Sequence, residues 1–539
     1  MKSTSTTQRS FDVAGLLSFD AGQLEVLVDK YGIRQAWLNI LGTRVRRKSE
    51  LSYVLDDELF AEFEALDVDL LEGLSIGEIG VLYEYCVALV DADSRRDNGQ
   101  FFTPDDVAAY MVREALCFPA GRWLDPCCGI GNLAWHLVNG HEDKEEFLIH
   151  SVVLSDKDEL ALLIARVLFT IDFQDQRASL FYDIEDNFVV FDFLSVSDNG
   201  GDLFGAPALA AIPQHDFVIV NPPYLATKRE DERFETAKSR DLYAYFLENV
   251  IKTSKGFVSI TPQSFTNASK FSDLRRLLLQ HFSNMTIFNF DNIPGNVFYG
   301  VKFGSKNSNK ANSIRAAITV AKQCDGESSR RITSLIRWRT AERQEMFDVI
   351  EHFLSESELT AEFFPKVSSV FEPLYSSLRS ASRLGSLISQ KPTGHVLYVP
   401  SAPRYFISAL KSPVSRVSQR TLFFRNEQDL DTANMALNSS LMYWWWRVRD
   451  GGMTLSLETI RSMPMPEFNV DPRLVRELEE SEKLNRVFKR NAGANQENVK
   501  HPTKLLGDLN SVVVPEFQHE LLATHQNTEL VQLKFIGRS

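Results

Sequence analysis

Between residues 121 and 322, short apolar runs alternate with helix-length segments, and this alternation constrains the fold more than any other feature of the chain. Arg122-Trp-Leu-Asp-Pro is a short strand running into a turn, and Asn132 to Val138 opens a helix. Ser151-Val-Val-Leu-Ser-Asp156 is a strand, followed by a strongly apolar helix from Glu159 to Phe169. Phe217-Val-Ile-Val-Asn221 is a buried strand, Asp241 to Thr253 a helix, Gly256 to Thr261 a strand and Phe271 to Phe282 a helix. Met285 to Phe290 and Ile314 to Ala321 are further strands. Strands separated by helices of this length predict a doubly wound α/β domain with a largely parallel sheet. Ligands of such sheets sit at the carboxyl ends of the strands. The conspicuous motifs fall at those ends.

The first motif is Leu124-Asp-Pro-Cys-Cys-Gly-Ile-Gly-Asn132, a strand, a glycine-containing turn and a helix start. Gly129 and Gly131 let backbone approach a ligand where a side chain would collide. Position 134 is Ala and an Asp precedes the turn, so the loop departs from the phosphate-binding Gly-x-Gly-x-x-Gly pattern. Asp125 suits a cationic ligand with an amino group better than a pyrophosphate, and S-adenosylmethionine carries a sulfonium and an ammonium. The bland alternative is a turn that merely ends a core strand. The second motif is Ser155-Asp156-Lys157-Asp158. Asp156, the first charged residue past the strand, is placed to accept from both hydroxyls of a ribose. Asp158 reads as a helix N-cap. The third is Val190-Phe-Asp-Phe-Leu194, where Asp192 either accepts from an adenine amine with Phe193 against the ring, or is a paired Asp in a buried strand.

The fourth motif, Asp216-Phe-Val-Ile-Val-Asn-Pro-Pro-Tyr224, is the strongest. An arylamine is a poor nucleophile because its lone pair is delocalised into the ring. Two acceptors aimed at its N–H bonds pull the nitrogen towards a tetrahedral shape and free that pair. The Asn221 side-chain oxygen and the Pro222 carbonyl are such acceptors. Pro222 and Pro223 fix φ and stiffen the loop, which suits chemistry that depends on placement. Tyr224 offers a ring face for stacking. A plain strand-ending turn is the alternative.

The 539 residues suggest two to four domains. No run approaches the length of a membrane span, the first fifteen residues lack a signal-peptide core, and five cysteines, two of them adjacent, make no disulfide framework. The chain therefore reads as cytosolic. The net charge of -14 is unexpected for a partner of nucleic acid, so its distribution matters more than its sum. Residues 51–90 hold ten acids and no base. Residues 373–426 hold no acid and eight bases: Arg379, Arg383, Lys391, Arg404, Lys411, Arg416, Arg420 and Arg425. A second acid-free stretch, 292–324, carries Lys302, Lys306, Lys310, Arg315 and Lys322. A polyanion feels the local field, since charges beyond about 8 Å are screened at physiological salt.

Taken in order, these motifs resemble the amino-methyltransferases that modify adenine in DNA, in the gamma arrangement. There the cofactor motifs precede the catalytic motif and the target-recognition region comes last. The resemblance covers roughly residues 75–325. Asn98-Gly-Gln-Phe-Phe-Thr-Pro104 resembles the family's first cofactor motif, which implies that Thr103 and its neighbours contact the methionine end of the cofactor. Tyr83-Glu-Tyr resembles the helical lead-in of type I modification subunits. By the same resemblance Asp125, Cys127, Gly129 and Gly131 belong to the main cofactor loop, Asp156 is the ribose acid and Lys157 stands beside the adenine ring. Asp192 and Phe193 then hold the cofactor's adenine, and Asn221, Pro222, Pro223 and Tyr224 are the catalytic tetrapeptide. Val297-Phe-Tyr-Gly-Val-Lys302 resembles the motif whose aromatic residue stacks on the flipped base, which gives that role to Phe298 alongside Tyr224. The tandem cysteines depart from the pattern, position 127 often being Ala, and are expected to leave the mechanism unaffected. Leu437 to Trp446 and Ile460 to Pro466 resemble pieces of large adenine methylases of restriction-modification systems, with the three tryptophans read as core.

The resemblance implies a Rossmann-like, doubly wound S-adenosylmethionine-dependent methyltransferase domain at 99–328. A helical region precedes it at 1–98, and a mixed α/β target-recognition domain with a helical tail follows at 329–539. The expected activity is methylation of N6 of a flipped-out adenine in double-stranded DNA, in a restriction-modification or related defence system of a bacterial or phage cytoplasm. A base inside a duplex is unreachable, so such enzymes extrude it, grip phosphates and read base edges. The expected DNA-binding residues are Lys302, Lys306, Arg379, Arg383, Lys391, Arg404, Lys411, Arg416 and Arg420. No metal is expected, and a separate restriction endonuclease is a candidate partner. Three rivals stand beside this reading: an RNA or protein-glutamine methyltransferase, the methylase part of a bifunctional restriction enzyme, and a non-catalytic DNA-binding subunit. The intact tetrapeptide speaks against the last.

Overall fold

The computed structural model describes residues 13–90, 103–196, 209–298, 314–324, 326, 328–403, 406–416, 418–452, 454–491 and 494–536. The chain divides into two compact units. The first comprises Met1–Phe265, Lys270–Ile287 and Asn296–Arg330, and the second Thr266–Ser269, Phe288–Gly295 and Arg331–Ser539.

Every apolar run read as a strand in the first unit forms one. They are β1 (Trp123–Asp125), β2 (Val152–Asp156), β4 (Phe217–Val220), β5 (Gly256–Pro262), β6 (Asn284–Phe290) and β7 (Ala316–Lys322), joined by β3 (Phe188–Val190). β1, β2 and β4 are buried at every residue, as strands covered on both faces must be. The strands lie in the order β3-β2-β1-β4-β5-β7-β6. β1 pairs in parallel with β2 and β4, β2 with β3, and β4 with β5, whereas β7 runs antiparallel to β5. The chain therefore leaves β1 in one direction and returns to its other side with β4. That reversal is a topological switch point, which opens a crevice at the carboxyl ends of β1 and β4.

The helices of this unit are α1 (Val13–Arg46), broken at Gly32, α2 (Ile76–Val90), α3 (Asp105–Ala115), α4 (Asn132–Asn139), α5 (Lys144–Ser151), α6 (Glu159–Phe173), α7 (Leu242–Thr253) and α8 (Ser272–His281). α6 runs four residues beyond the expected end, because Thr170, Ile171 and Phe173 continue its buried face. α1 and α2 share one apolar cluster with α6, in which Trp37, Ile40 and Leu82 pack with Ile164 and Leu168. Each fully buried Leu or Ile of that seam contributes about 1.5–3 kcal/mol. The basic cluster around Arg44 is an ordinary charged face: Arg44 and Arg47 pair with Asp69, and Arg47 also with Glu72.

The second unit holds β8 (Arg330–Ile336), the antiparallel pair β9 (His395–Pro400) and β10 (Gln419–Phe424), and the hairpin β11 (Arg486–Asn491) and β12 (Ala494–Val499). Its longer helices are α9 (Glu427–Asn438), α10 (Ser440–Arg449), α11 (Pro472–Leu484) and α12 (Thr503–Val513). Trp444, Trp445 and Trp446 on α10 are all buried, as expected of core residues. No helix among the described residues is long and apolar enough to cross a membrane.

One buried histidine in this unit gives a pH prediction. His501 is 6% exposed, its Nδ1 lies 2.9 Å from Ser481 Oγ, and its Nε2 is buried without a partner. Burial holds its pKa down at about 4, against 6.5 in an unfolded chain. Between those values the unfolded chain binds a proton that the folded chain refuses. The contribution to stability is therefore complete above pH 6.5 and is lost as pH falls towards 4, on the order of 3 kcal/mol. In thermal unfolding, His501→Gln should flatten the decline of stability between pH 6.5 and 4. Parallel curves for the two proteins would contradict this.

Candidate active site

The cofactor-type loop follows β1 directly, and its backbone explains its glycines. Gly129 and Gly131 have φ of 54° and 87°, in the left-handed region that favours glycine. A Cβ on Gly131 would lie 2.8 Å from Phe169 Cε2 and 3.0 Å from Leu154 Cδ2, so the loop cannot close on α6 and β2 with any other residue there. A Cβ on Gly129 would meet nothing within 4 Å, because that residue faces open space. The loop is pinned by Asp156, whose Oδ2 accepts from Gly129 N at 2.8 Å while Oδ1 accepts from Asp158 N at 3.0 Å. Asp158 caps α6 by accepting from the Leu160 and Ala161 amides, as read from sequence, and also accepts from Tyr83 Oη at 2.5 Å.

The open space is a cavity of about 190 Å³ at the switch point. The loop after β1 contributes Asp125, Cys127, Cys128 and Gly129, and the end of β2 contributes Asp156, Lys157 and Asp158. Asp192 and Phe193 come from the turn after β3, and Asn221, Pro222 and Pro223 from the end of β4. Thr103 lines it too. Asp192 is exposed and lies beyond β3, which ends at Val190, so its reading as a paired residue in a buried strand is corrected. Phe193 is buried and stacks on Phe246 at 5.3 Å with 25° between the rings.

The cavity has walls that sequence reasoning missed. α2 supplies Gly80, Tyr83 and Glu84, α7 supplies Leu242 and Phe246, and α4 begins with Asn132 and Leu133. The one available signal was Asp241-Leu-Tyr-Ala-Tyr-Phe246, which places an aromatic residue one turn into the helix after the catalytic loop.

Two polar atoms in these walls lack partners: Asp125 Oδ1 and Asn132 Oδ1 are buried and make no hydrogen bond. Burial pushes the Asp125 carboxyl well above the usual carboxylate range. A carboxylate left so costs free energy unless a charged donor meets it. The ammonium of S-adenosylmethionine is such a donor, and the glycine cradle leaves room for its body. The residues present fit that cofactor.

β1 and β4 are sheet neighbours, so two motifs 94 residues apart meet in space. Cys127 Sγ donates to the Asn221 carbonyl at 3.3 Å, so this cysteine bears on the catalytic loop after all, because the strand ends are adjacent. Asn221 Nδ2 donates to Thr103 Oγ1 at 2.9 Å. Tyr224 Oη lies 2.6 Å from Asn221 Oδ1 and 2.8 Å from the Ile260 carbonyl. The Tyr224 ring sits edge-on to Phe298 at 6.0 Å and to Tyr243 at 6.3 Å. Phe298 is 1% exposed. Its neighbour Tyr299 and residues 98–102 of the upstream motif lie outside the described residues.

The second unit is less basic in space than in sequence. Arg379 pairs with Glu358, Lys411 with Asp431 and Glu479, and Arg425 with Asp429. Those carboxylates lie just outside the acid-free window. Arg420 donates to the Leu455 carbonyl. Arg416 has Nε and Nη1 buried without partners, and burial lowers its pKa to about 10. Arg383 and Lys391 are exposed, and the Arg383 guanidinium lies 6.0 Å from the Trp445 ring centre. Lys302, Lys306 and Arg404 lie outside the described residues.

A parallel sheet with an antiparallel β7, a glycine-turned loop after β1 and a polar tetrapeptide after β4 together define an α/β domain of the S-adenosylmethionine-dependent methyltransferase type. Residues 150–298 match the family described as Eco57I restriction-modification methylase, so the chain carries a methylase domain of restriction-modification type. No curated protein sequence matches the chain. Among solved structures it is similar to DrdV in a DrdV–DNA complex, at 16% identity and a TM-score of 0.43, over 73% of this chain and 48% of that one. The chain thus spans about half the length of DrdV. It is also similar to the methyltransferase subunit of a type I restriction-modification system from Streptococcus thermophilus, at 16% identity and a TM-score of 0.35, over 61% and 77% of the two chains. A third likeness is to the type IIG restriction endonuclease BpuSI, at 11% identity and a TM-score of 0.38, over 97% and 79%.

Proposed function

We propose that this protein transfers the methyl group of S-adenosylmethionine to N6 of adenine at a specific site in double-stranded DNA. The observation that carries the reading is the Asn221–Tyr224 loop, held at the lip of a cavity whose polar walls suit that cofactor. The restriction-modification methylase match over 150–298 supports DNA as the substrate.

When bound, S-adenosylmethionine supplies an electrophilic methyl group on a sulfonium. Asp125 takes the ammonium. Asp156 and Lys157 line the wall expected beside the ribose and adenine, and Phe193, backed by Phe246, gives that ring an apolar face. Asn221 Oδ1 and the Pro222 carbonyl accept the two N–H bonds of the target amine and so free its electron pair. The consecutive prolines keep these acceptors in place before substrate arrives, which lowers the cost of orientation. Tyr224 and Phe298 furnish the aromatic surroundings of the extruded base, and residues 329–539 supply target recognition.

Incubation with radiolabelled cofactor and unmodified bacterial DNA tests the reading. Digestion of the product should release label in N6-methyladenine. Label in cytosine, or label only when RNA or protein is offered instead, would overturn it.

A further inference from the structure

Catalysis by the Asn221 amide requires its oxygen, not its nitrogen, to face the amine. The two ends of a carboxamide have almost the same shape, and a half-turn about the last side-chain bond exchanges them. The exchanged amide would point N–H at N–H. Something in the fold must select one orientation.

Tyr224 cannot select it alone. Its hydroxyl lies 2.6 Å from Asn221 Oδ1 and 2.8 Å from the Ile260 carbonyl. It can donate to Oδ1. It can equally donate to Ile260 and accept from an amide nitrogen in the same place. The other end of the amide is different, because Nδ2 donates to Thr103 Oγ1 at 2.9 Å. Thr103 is 4% exposed, and its carbonyl accepts from Asn132 Nδ2 at 2.8 Å, so the hydroxyl is held in position by the first residue of α4. Without that hydroxyl, Nδ2 would lose its acceptor, and a buried donor left unpaired costs about 1–3 kcal/mol. The flipped amide would then be favoured, with Nδ2 donating to Tyr224 and Tyr224 to Ile260.

We infer that Thr103 is a positioning residue whose hydroxyl sets which end of the Asn221 amide faces the target nitrogen. The inference rests on the methyltransferase reading above, and goes beyond the contact with the methionine end that the sequence resemblance gave this residue.

Thr103→Val, which keeps the shape and removes the hydroxyl, should lower kcat by tenfold or more while the cofactor Kd and the DNA KM stay within about twofold. Thr103→Ser should restore kcat. The side-chain amide 15N signal of Asn221, assigned by its loss in Asn221→Asp, should move in Thr103→Val and hold in Thr103→Ser. An unchanged kcat in Thr103→Val, an equal fall in both variants, or a loss confined to cofactor affinity would each overturn the inference. So would an amide signal indifferent to Thr103→Val. That signal needs no substrate, so it decides the role of Thr103 even if the wild type leaves DNA unmodified, the result that would sink the DNA reading instead.

Discussion

Asn221→Ala should lower methyl transfer to DNA by a factor of about a hundred to a thousand or more, while cofactor binding measured by calorimetry changes only a few-fold. The scale is that of removing one preorganised polar group from a reacting centre. The separation of effects follows from geometry. The Asn221 side chain is engaged by Thr103 and Tyr224 at the lip of the cavity, whereas Asp125, Asp156 and the glycine loop build the cavity itself. A variant that keeps full activity would show that the tetrapeptide is not the catalytic loop. A variant that loses cofactor binding and activity together would mean that Asn221 belongs to the cofactor wall.

Arg447→Ala should destabilise the second unit by about 3–5 kcal/mol, the usual consequence of stranding buried charge. Arg447 Nη1 donates to Asp291 Oδ2 at 3.0 Å, and Nη2 to Glu529 Oε1 at 2.7 Å and to the Leu335 carbonyl. Arg337 completes the cluster, with Nη2 3.5 Å from Glu529 Oε1 and 2.6 Å from the Thr524 carbonyl, and Nη1 donating to Tyr443 Oη at 3.0 Å. These four charged side chains are each under 10% exposed and sum to zero. The cluster joins Asp291, β8, α10 and the segment at Glu529, which are far apart in sequence. Without Arg447 a single guanidinium must balance two carboxylates. Native-state hydrogen exchange of the α10 amides reads the loss directly, and Arg447→Lys should recover only part of it, since an ammonium cannot fork to both acids. A loss under about 1 kcal/mol in the alanine variant would contradict this account.

The strands and the two ligand loops were legible because each is a local signal. A doubly covered strand is apolar along its length, and a loop that must bend sharply or approach a ligand closely shows its Gly and Pro. Asp158 shows the same logic, since an acid just ahead of an apolar helix becomes its cap. What was not legible depends on chain segments meeting at a distance. α2 forms a wall of the cavity because Tyr83 reaches Asp158, 75 residues later. Cys127 matters to Asn221 only because β1 and β4 are neighbours. The basic stretch misled for the converse reason. A window free of acids says nothing about acids that pack against it, and Lys411 meets Asp431 and Glu479, 20 and 68 residues away. The substrate assignment therefore leans on the tetrapeptide and the methylase match more than on the charge map.

The central claim is adenine methylation of DNA by this loop, and one measurement addresses it most directly. The chain is expressed in a host that lacks DNA methylation, and every modified base is mapped by single-molecule sequencing, with Asn221→Ala as control. The account predicts N6-methyladenine at one recurring sequence motif and none in the control. Marks on cytosine, or adenine marks that persist in Asn221→Ala, would contradict it, as would a genome without marks from a folded, cofactor-binding protein.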